Sequence, residues 1–206
     1  MGIFIVFEGG DGTGKSTQAK ALCERLRRVG MEVVRTREPG GTPLSRSLKL
    51  RSLLNSNGGR PIAPWAEFNL FSASRAQLVA EVILPSLEEG KVIVCDRYAA
   101  SSLAYQGYGR GLDLGLISAM NDAATAGLVP DLVVLLDLSP EHGLARKREM
   151  RRFEEESLSF HQRVRQGYLE MAADDPGRWL VVDATLPGKE VQRLVWERVE
   201  ALLKSS

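Results

Sequence analysis

A chain of 206 residues with 27 Lys and Arg against 26 Asp and Glu has room for a well-buried core but no global field favouring nucleic acid or an acidic membrane. Hydrophobic residues at 44% and charged residues at 26% are ordinary for a soluble globular protein, and no run approaches the ~18 consecutive apolar residues of a membrane span. Two cysteines, Cys23 and Cys95, are too few and too far apart for a secreted disulfide framework and read as buried free thiols; with no signal-like N-terminus, a reducing, cytoplasmic setting is expected.

Residues 3–7, Ile-Phe-Ile-Val-Phe, are apolar throughout, as expected of a central parallel strand covered on both faces. The next residues, Gly9-Gly10-Asp11-Gly12-Thr13-Gly14-Lys15-Ser16-Thr17, match G-x-x-x-x-G-K-[ST] in full. The motif leaves a strand and enters a helix over 15–29, where Ala19, Leu22, Cys23 and Leu26 recur at helical spacing before Gly30. Glycines let backbone N–H groups turn in on phosphates, and the helix N-terminus adds positive potential. Lys15 is placed to reach the β and γ phosphates of a nucleoside triphosphate, and the Ser16 hydroxyl to ligate Mg²⁺. Such a loop serves GTPases, motors and kinases alike. The Asn-Lys-x-Asp expected of a guanine site is absent.

A second strand is expected at 32–36, ending in Thr36-Arg37-Glu38-Pro39-Gly40-Gly41-Thr42. In that tight turn Arg37 can present a fixed guanidinium to a phosphate, though by itself it reads equally as a surface arginine. Helices are expected at about 43–54 and 65–89, with a turn-rich stretch at 55–61. A third strand at 92–95 ends in Asp96-Arg97-Tyr98. Asp96 at a strand end beside the phosphate loop suits Mg²⁺, and Arg97 suits a phosphate. A structural Asp–Arg pair is the bland alternative. Ser101, Ser102, Tyr105 and Gln106 follow with groups able to read a base edge or a sugar, and 107–111 reads as turn.

Further helices are expected at 113–126, 140–149, 156–173 and 188–203, and strands at 132–138 and 179–182. Ser139-Pro140-Glu141 is a helix start with a capping hydroxyl, proline at the first position and an acid in the first turn. The run 146–152 holds five basic residues in seven and precedes Phe153 and Glu154-Glu155-Glu156. Composition alone makes it a solvated helix face; in a phosphoryl-transfer enzyme such arginines neutralise transition-state charge from a lid. His142 and His161 lack metal-ligand spacing and read as surface or packing residues. The βα alternation predicts an α/β fold: one domain over 1–206, three layers α/β/α, with a five-stranded parallel sheet and ligands at the strands' carboxyl ends.

Taken in order, the motifs at 8–17, 36–42, 67–77, 96–107 and the basic run resemble those of the thymidylate kinase family over nearly the whole chain. The resemblance implies an ATP-dependent dTMP kinase with Mg²⁺, acting as a homodimer, without nucleic acid or membrane. It implies that the loop residues Gly9 to Thr17 hold ATP together with Arg146 and Asp183, the latter in a loop flanking adenine. Asp11 resembles the loop carboxylate that contacts the dTMP sugar, and Arg37 and Arg97 the phosphate clamp. Phe71 is similar to the residue stacking on thymine, and Arg75, one turn on at i+4, to the residue bonding a base carbonyl. Ser102 and Gln106 match polar positions around the base, and Tyr105 the residue crowding the sugar 2′ position. Lys15, Arg97, Asp11 and the lid residues Arg148 and Arg152, in a lid at about 146–156, are the implied catalytic set. Some relatives carry a basic residue inside the loop where this chain has Gly12. Another nucleoside monophosphate or deoxynucleoside kinase, or a non-catalytic ATP-binding module, are the alternatives.

Overall fold

A computed structural model describes residues 2–47, 62–146 and 152–205. Five strands, β1 (Ile3–Glu8), β2 (Val33–Arg37), β3 (Val92–Asp96), β4 (Leu132–Asp137) and β5 (Trp179–Asp183), form one parallel sheet in the order β2-β3-β1-β4-β5. β1 is buried along its whole length, which is why its sequence is continuously apolar rather than alternating. Alternate side chains still separate the two faces. Ile3, Ile5 and Phe7 pack with α1 (Lys15–Arg28) and α9 (Gly188–Ser205), while Phe4 and Val6 pack against Leu78, Val79 and Ile83. The expected three-layer arrangement follows from that split.

The remaining helices are α2 (Pro43–Ser47), α3 (Pro64–Leu78), α4 (Leu84–Glu88), α5 (Ala99–Ser102), α6 (Leu114–Thr125), α7 (Pro140–Ala145) and α8 (Leu158–Asp174), with π-helical segments at Val79–Ile83 and Leu103–Gly109. Capping chemistry fixes several starts. Asp113 accepts from Leu116 N at 2.7 Å, and Ser157 from Phe160 N at 3.2 Å. Among the described residues no helix is long and apolar enough to cross a membrane.

Two expectations need correction. The single helix expected over 65–89 changes to π geometry before Pro85, whose missing N–H and bulky ring do not fit an uninterrupted α-helix. Residues 99–109 are helical, although 107–111 was expected as turn. The glycines there serve packing: a Cβ on Gly109 would meet the Phe160 ring at 2.6 Å, and one on Gly107 would meet Leu114 at 2.4 Å. The turn at 55–61 and most of the helix expected at 43–54 lie outside the described residues.

Register places the functional residues. Phe7 pairs with Asp96, and Asp96 with Arg37, so β1, β2 and β3 end at one level. The loop after β1 therefore opens where β3 and β4 flank the first strand, the crevice at which open α/β sheets bind ligands.

Candidate active site

The phosphate loop crosses α7 backbone to backbone. Gly12 has φ of 75°, and a Cβ there would lie 2.0 Å from the Gly143 carbonyl oxygen. A Cβ on Gly143 would in turn lie 2.3 Å from the Asp11 oxygen. No side chain fits either position with the backbones as they stand.

Lys15, at the start of α1, is buried and donates to the Gly10 carbonyl at 2.5 Å and to Thr13 Oγ1 at 3.3 Å. Burial, helped by the Arg97 charge, lowers its pKa to about 8 against the opposing pull of Asp11, Asp96 and Glu8. Thr13 Oγ1 donates to Gly10 O at 3.1 Å, tying the loop to itself. The Ser16 hydroxyl donates to Asp96 Oδ2, so the two expected metal-site residues meet. Both are hard oxygen donors with access to the cavity, the set that suits Mg²⁺ completed by phosphate oxygens and water. Among the described residues no group of three or more His, Cys, Asp or Glu forms an all-protein metal cage.

Arg97 leaves the end of β3 with φ of 75°. Its Nη2 donates to Asp11 Oδ1 and to the Tyr105 hydroxyl, both at 3.1 Å, and its Nη1 to Ser101 Oγ and Tyr168 Oη, both at 3.3 Å. Tyr105 donates to Asp11 Oδ2 at 2.8 Å; burial raises its pKa and keeps the phenol a donor. Behind Arg97 sits Glu8, fully buried at the end of β1. It accepts from Tyr98 N at 2.8 Å, Ser101 Oγ at 2.7 Å and Tyr168 Oη at 2.9 Å. Burial raises its pKa, opposed first by Arg97. One strained backbone position thus aims a guanidinium that two carboxylates and two phenols hold in place.

A cavity of about 430 Å³ joins this region to α3 and α5. Phe71 is half-buried in its wall, with its ring centroid 6.1 Å from that of Phe153. Arg75 lies one turn on, only 1% exposed. Its Nε donates to Glu38 at 2.9 and 3.2 Å, its Nη2 to Ser102 Oγ at 2.8 Å, and its Nη1 to Asn121 Oδ1. Burial pushes the Glu38 carboxyl up to about 7 despite the neighbouring Arg75 charge. Ser102 and Gln106 are buried and line the cavity, and Arg37 is exposed on its rim.

Arg146, just after α7, lines the opposite end and donates to Ala184 O at 3.3 Å and Gly12 O at 3.5 Å. Asp183 does not line the cavity. Its carboxylate accepts from Thr185 N at 2.8 Å and shapes the turn whose Ala184 carbonyl holds Arg146. Arg152 is likewise outside the cavity lining and donates to Glu67 on α3, while Phe153 and Glu154 beside it do line it. A buried carboxylate draws cations to itself, which accounts for that position. Arg148 lies outside the described residues. His161 is a buried packing residue against the Phe160 ring, centroids 5.4 Å apart.

Sequence reasoning placed Glu8, Glu38 and Glu67 inside motifs without giving them a role, and missed Arg110, Asn121 and Tyr168. Glu8 carried a usable signal, a carboxylate closing an otherwise apolar strand; the others sit in helices or turns where polar residues are ordinary.

The family model described as thymidylate kinase matches residues 7–195. A thymidylate kinase of Dehalococcoides mccartyi is 48% identical over 206 residues, covering 99% of each chain, and one of Deinococcus radiodurans is 50% identical over 202 residues, covering 97% of each. The crystal structure of thymidylate kinase from Ehrlichia chaffeensis superposes with a TM-score of 0.77 at 33% identity, covering 98% of each chain. Full-length identity of this order, on a shared fold, makes the chain a member of the thymidylate kinase family.

Proposed function

We propose that this chain transfers the γ-phosphate of ATP to dTMP, giving dTDP and ADP. The observation that carries it is one continuous cavity with Lys15 and Ser16 at the phosphate loop, Arg97 between, and Phe71, Arg75 and Gln106 at the far wall. A triphosphate on the loop and a monophosphate whose base lies along α3 meet at Arg97. Its full-length relatives are themselves named thymidylate kinases.

The chemistry is positioning and charge neutralisation. An oxygen of the dTMP phosphate forms the new bond to the γ-phosphorus as the bond to the β–γ bridging oxygen breaks, and ADP leaves with that electron pair. Lys15 and the loop N–H groups hold the β and γ phosphates. Arg97 and Arg37 hold the acceptor phosphate, and Arg146 closes the donor end. Ser16 and Asp96 would hold Mg²⁺, which supplies neutralising charge at the β and γ oxygens. Phe71 stacks on the base and Tyr105 crowds the sugar. Residues 146–156 act as the lid, Arg148 supplying charge to the transferring phosphate. The family resemblance extends the proposal to a cytoplasmic homodimer, checked by light scattering in solution.

The deciding experiment follows ADP release with ATP and Mg²⁺ against dTMP, dUMP, UMP, CMP, AMP and thymidine. Selective turnover of dTMP is expected. Preference for another monophosphate or for thymidine makes this a kinase of different acceptor, and ATP binding without turnover on any acceptor makes it a binding module.

A further inference from the structure

Glu67 lies on α3, fully buried and outside the cavity lining. Its Oε1 accepts from Gln106 Nε2 at 2.7 Å and from Arg110 Nε at 3.3 Å. Its Oε2 accepts from Arg110 Nη2 at 3.3 Å and from Arg152 Nη2. Arg110 also reaches Glu156 Oε1 at 2.6 Å. One carboxylate therefore gathers donors from the π-helical segment, its C-terminal end and the segment after residue 151.

A carboxylate flanked by two guanidiniums only accepts. It fixes which end of the Gln106 amide faces it: the NH₂ must point at Glu67, leaving Oε1 as the unused end of a residue that lines the cavity. Arg75, which lines the same cavity and bonds Ser102 one turn before Gln106, only donates. The wall thus offers a donor beside an acceptor in fixed order. Thymine and uracil match that order with a carbonyl beside N3–H. Cytosine reverses it, with an amino group beside an unprotonated N3.

We infer that Glu67 is a specificity-setting positioning residue, which excludes cytosine-type bases by locking the Gln106 amide with its oxygen toward the acceptor's base. The inference rests on the proposed dTMP reading. An amide at position 67 can donate or accept, so Gln106 becomes free to turn and offer NH₂ to an unprotonated N3.

The test compares kcat/KM for dTMP and dCMP in the unaltered chain, in Glu67→Gln, and in the exchange Glu67→Gln/Gln106→Glu. In the exchanged pair, residue 106 is again an acceptor only, held by the amide at 67. Leaving a buried polar group mispaired is worth roughly tenfold or more. The dTMP-over-dCMP ratio should fall by about that factor in Glu67→Gln and recover in the exchange. An unchanged ratio in Glu67→Gln, or a loss that the exchange fails to recover, overturns the inference. If either variant does not fold, hydrogen exchange of the Gln106 carboxamide in the unaltered chain decides, with the signal assigned by its loss in Gln106→Leu. Strong protection is expected, and exchange as fast as that of exposed glutamines overturns it. A wild-type chain that does not prefer dTMP sinks the proposed function instead, and is recognised in the first measurement.

Discussion

The Arg97 guanidinium reaches from the end of β3 to the phosphate loop and donates to Asp11 Oδ1 at 3.1 Å. The residue proposed to clamp the acceptor is thereby anchored to the loop proposed to hold the donor. A lysine cannot span Asp11, Tyr105, Ser101 and Tyr168 with one ammonium. Arg97→Lys should lower kcat/KM for dTMP by roughly two orders of magnitude. Steady-state kinetics with dTMP varied check this; a change below threefold counts against the clamp.

The positive φ at Arg97 adds a prediction about stability. Arg97→Ala and Arg97→Gly both remove the guanidinium and should both be inactive. Glycine adopts that backbone without the Cβ penalty, worth about 1 kcal/mol. Arg97→Gly should therefore melt about 2–4 °C above Arg97→Ala. Paired thermal melts measure the difference.

Lys15 carries a pKa of about 8 through burial and the Arg97 charge. Its cationic form binds phosphates and is lost as pH rises through that value, so kcat/KM for ATP should decline above about pH 8. Bound phosphates favour the cation, so kcat should hold to higher pH. Profiles from pH 6 to 10, at saturating dTMP, separate the two quantities. Lys15→Ala should lose roughly 10²–10³ in kcat while remaining folded by circular dichroism.

Glu38 and Arg75 form a buried pair at 2.9 Å. Arg75→Ala leaves that carboxyl buried without its cation and should cost roughly 3–5 kcal/mol of stability by chemical denaturation. The pair also gives a pH signature. The folded pKa of about 7 lies above the usual value of 4.5, so protonation favours the folded chain. The stabilising contribution is complete below 4.5 and is lost as pH rises through 7. Glu38→Gln removes this titration. Its stability relative to wild type should improve by up to about 3 kcal/mol from pH 4.5 to 7.5. A pH-independent difference sinks the assignment.

Phe71 presents its ring to the cavity beside Phe153. Phe71→Ala should raise KM for dTMP roughly tenfold, the scale of one base–aromatic stack, and leave KM for ATP unchanged. An equal rise for both substrates places Phe71 outside the acceptor wall.

The phosphate loop was legible because its chemistry is local: strand, glycines, lysine and helix are consecutive, and the loop folded as its sequence indicates. The five strands were legible from their apolar runs, with ends within a residue or so of those observed. The helix at 99–109 was not, since Gly107 and Gly109 look like turn residues until Leu114 and Phe160 are seen pressed against them. Asp11, Arg97 and Tyr105 were each identified, but their mutual hydrogen bonds join segments 86 and 94 residues apart. The roles of Glu38 and Glu67 escaped for the same reason. A buried carboxylate is defined by the cations and hydroxyls that come to it, and no spacing along the chain encodes them.

Gly12 and Gly143 meet without room for a side chain on either. The phosphate loop and α7, which leads into the basic segment, behave as one rigid part at that crossing. Any tilt of α7 is felt directly by the backbone that faces the triphosphate. A transplant of this nucleotide site into another scaffold must carry both segments, because the loop alone would arrive without the surface that sets its curvature.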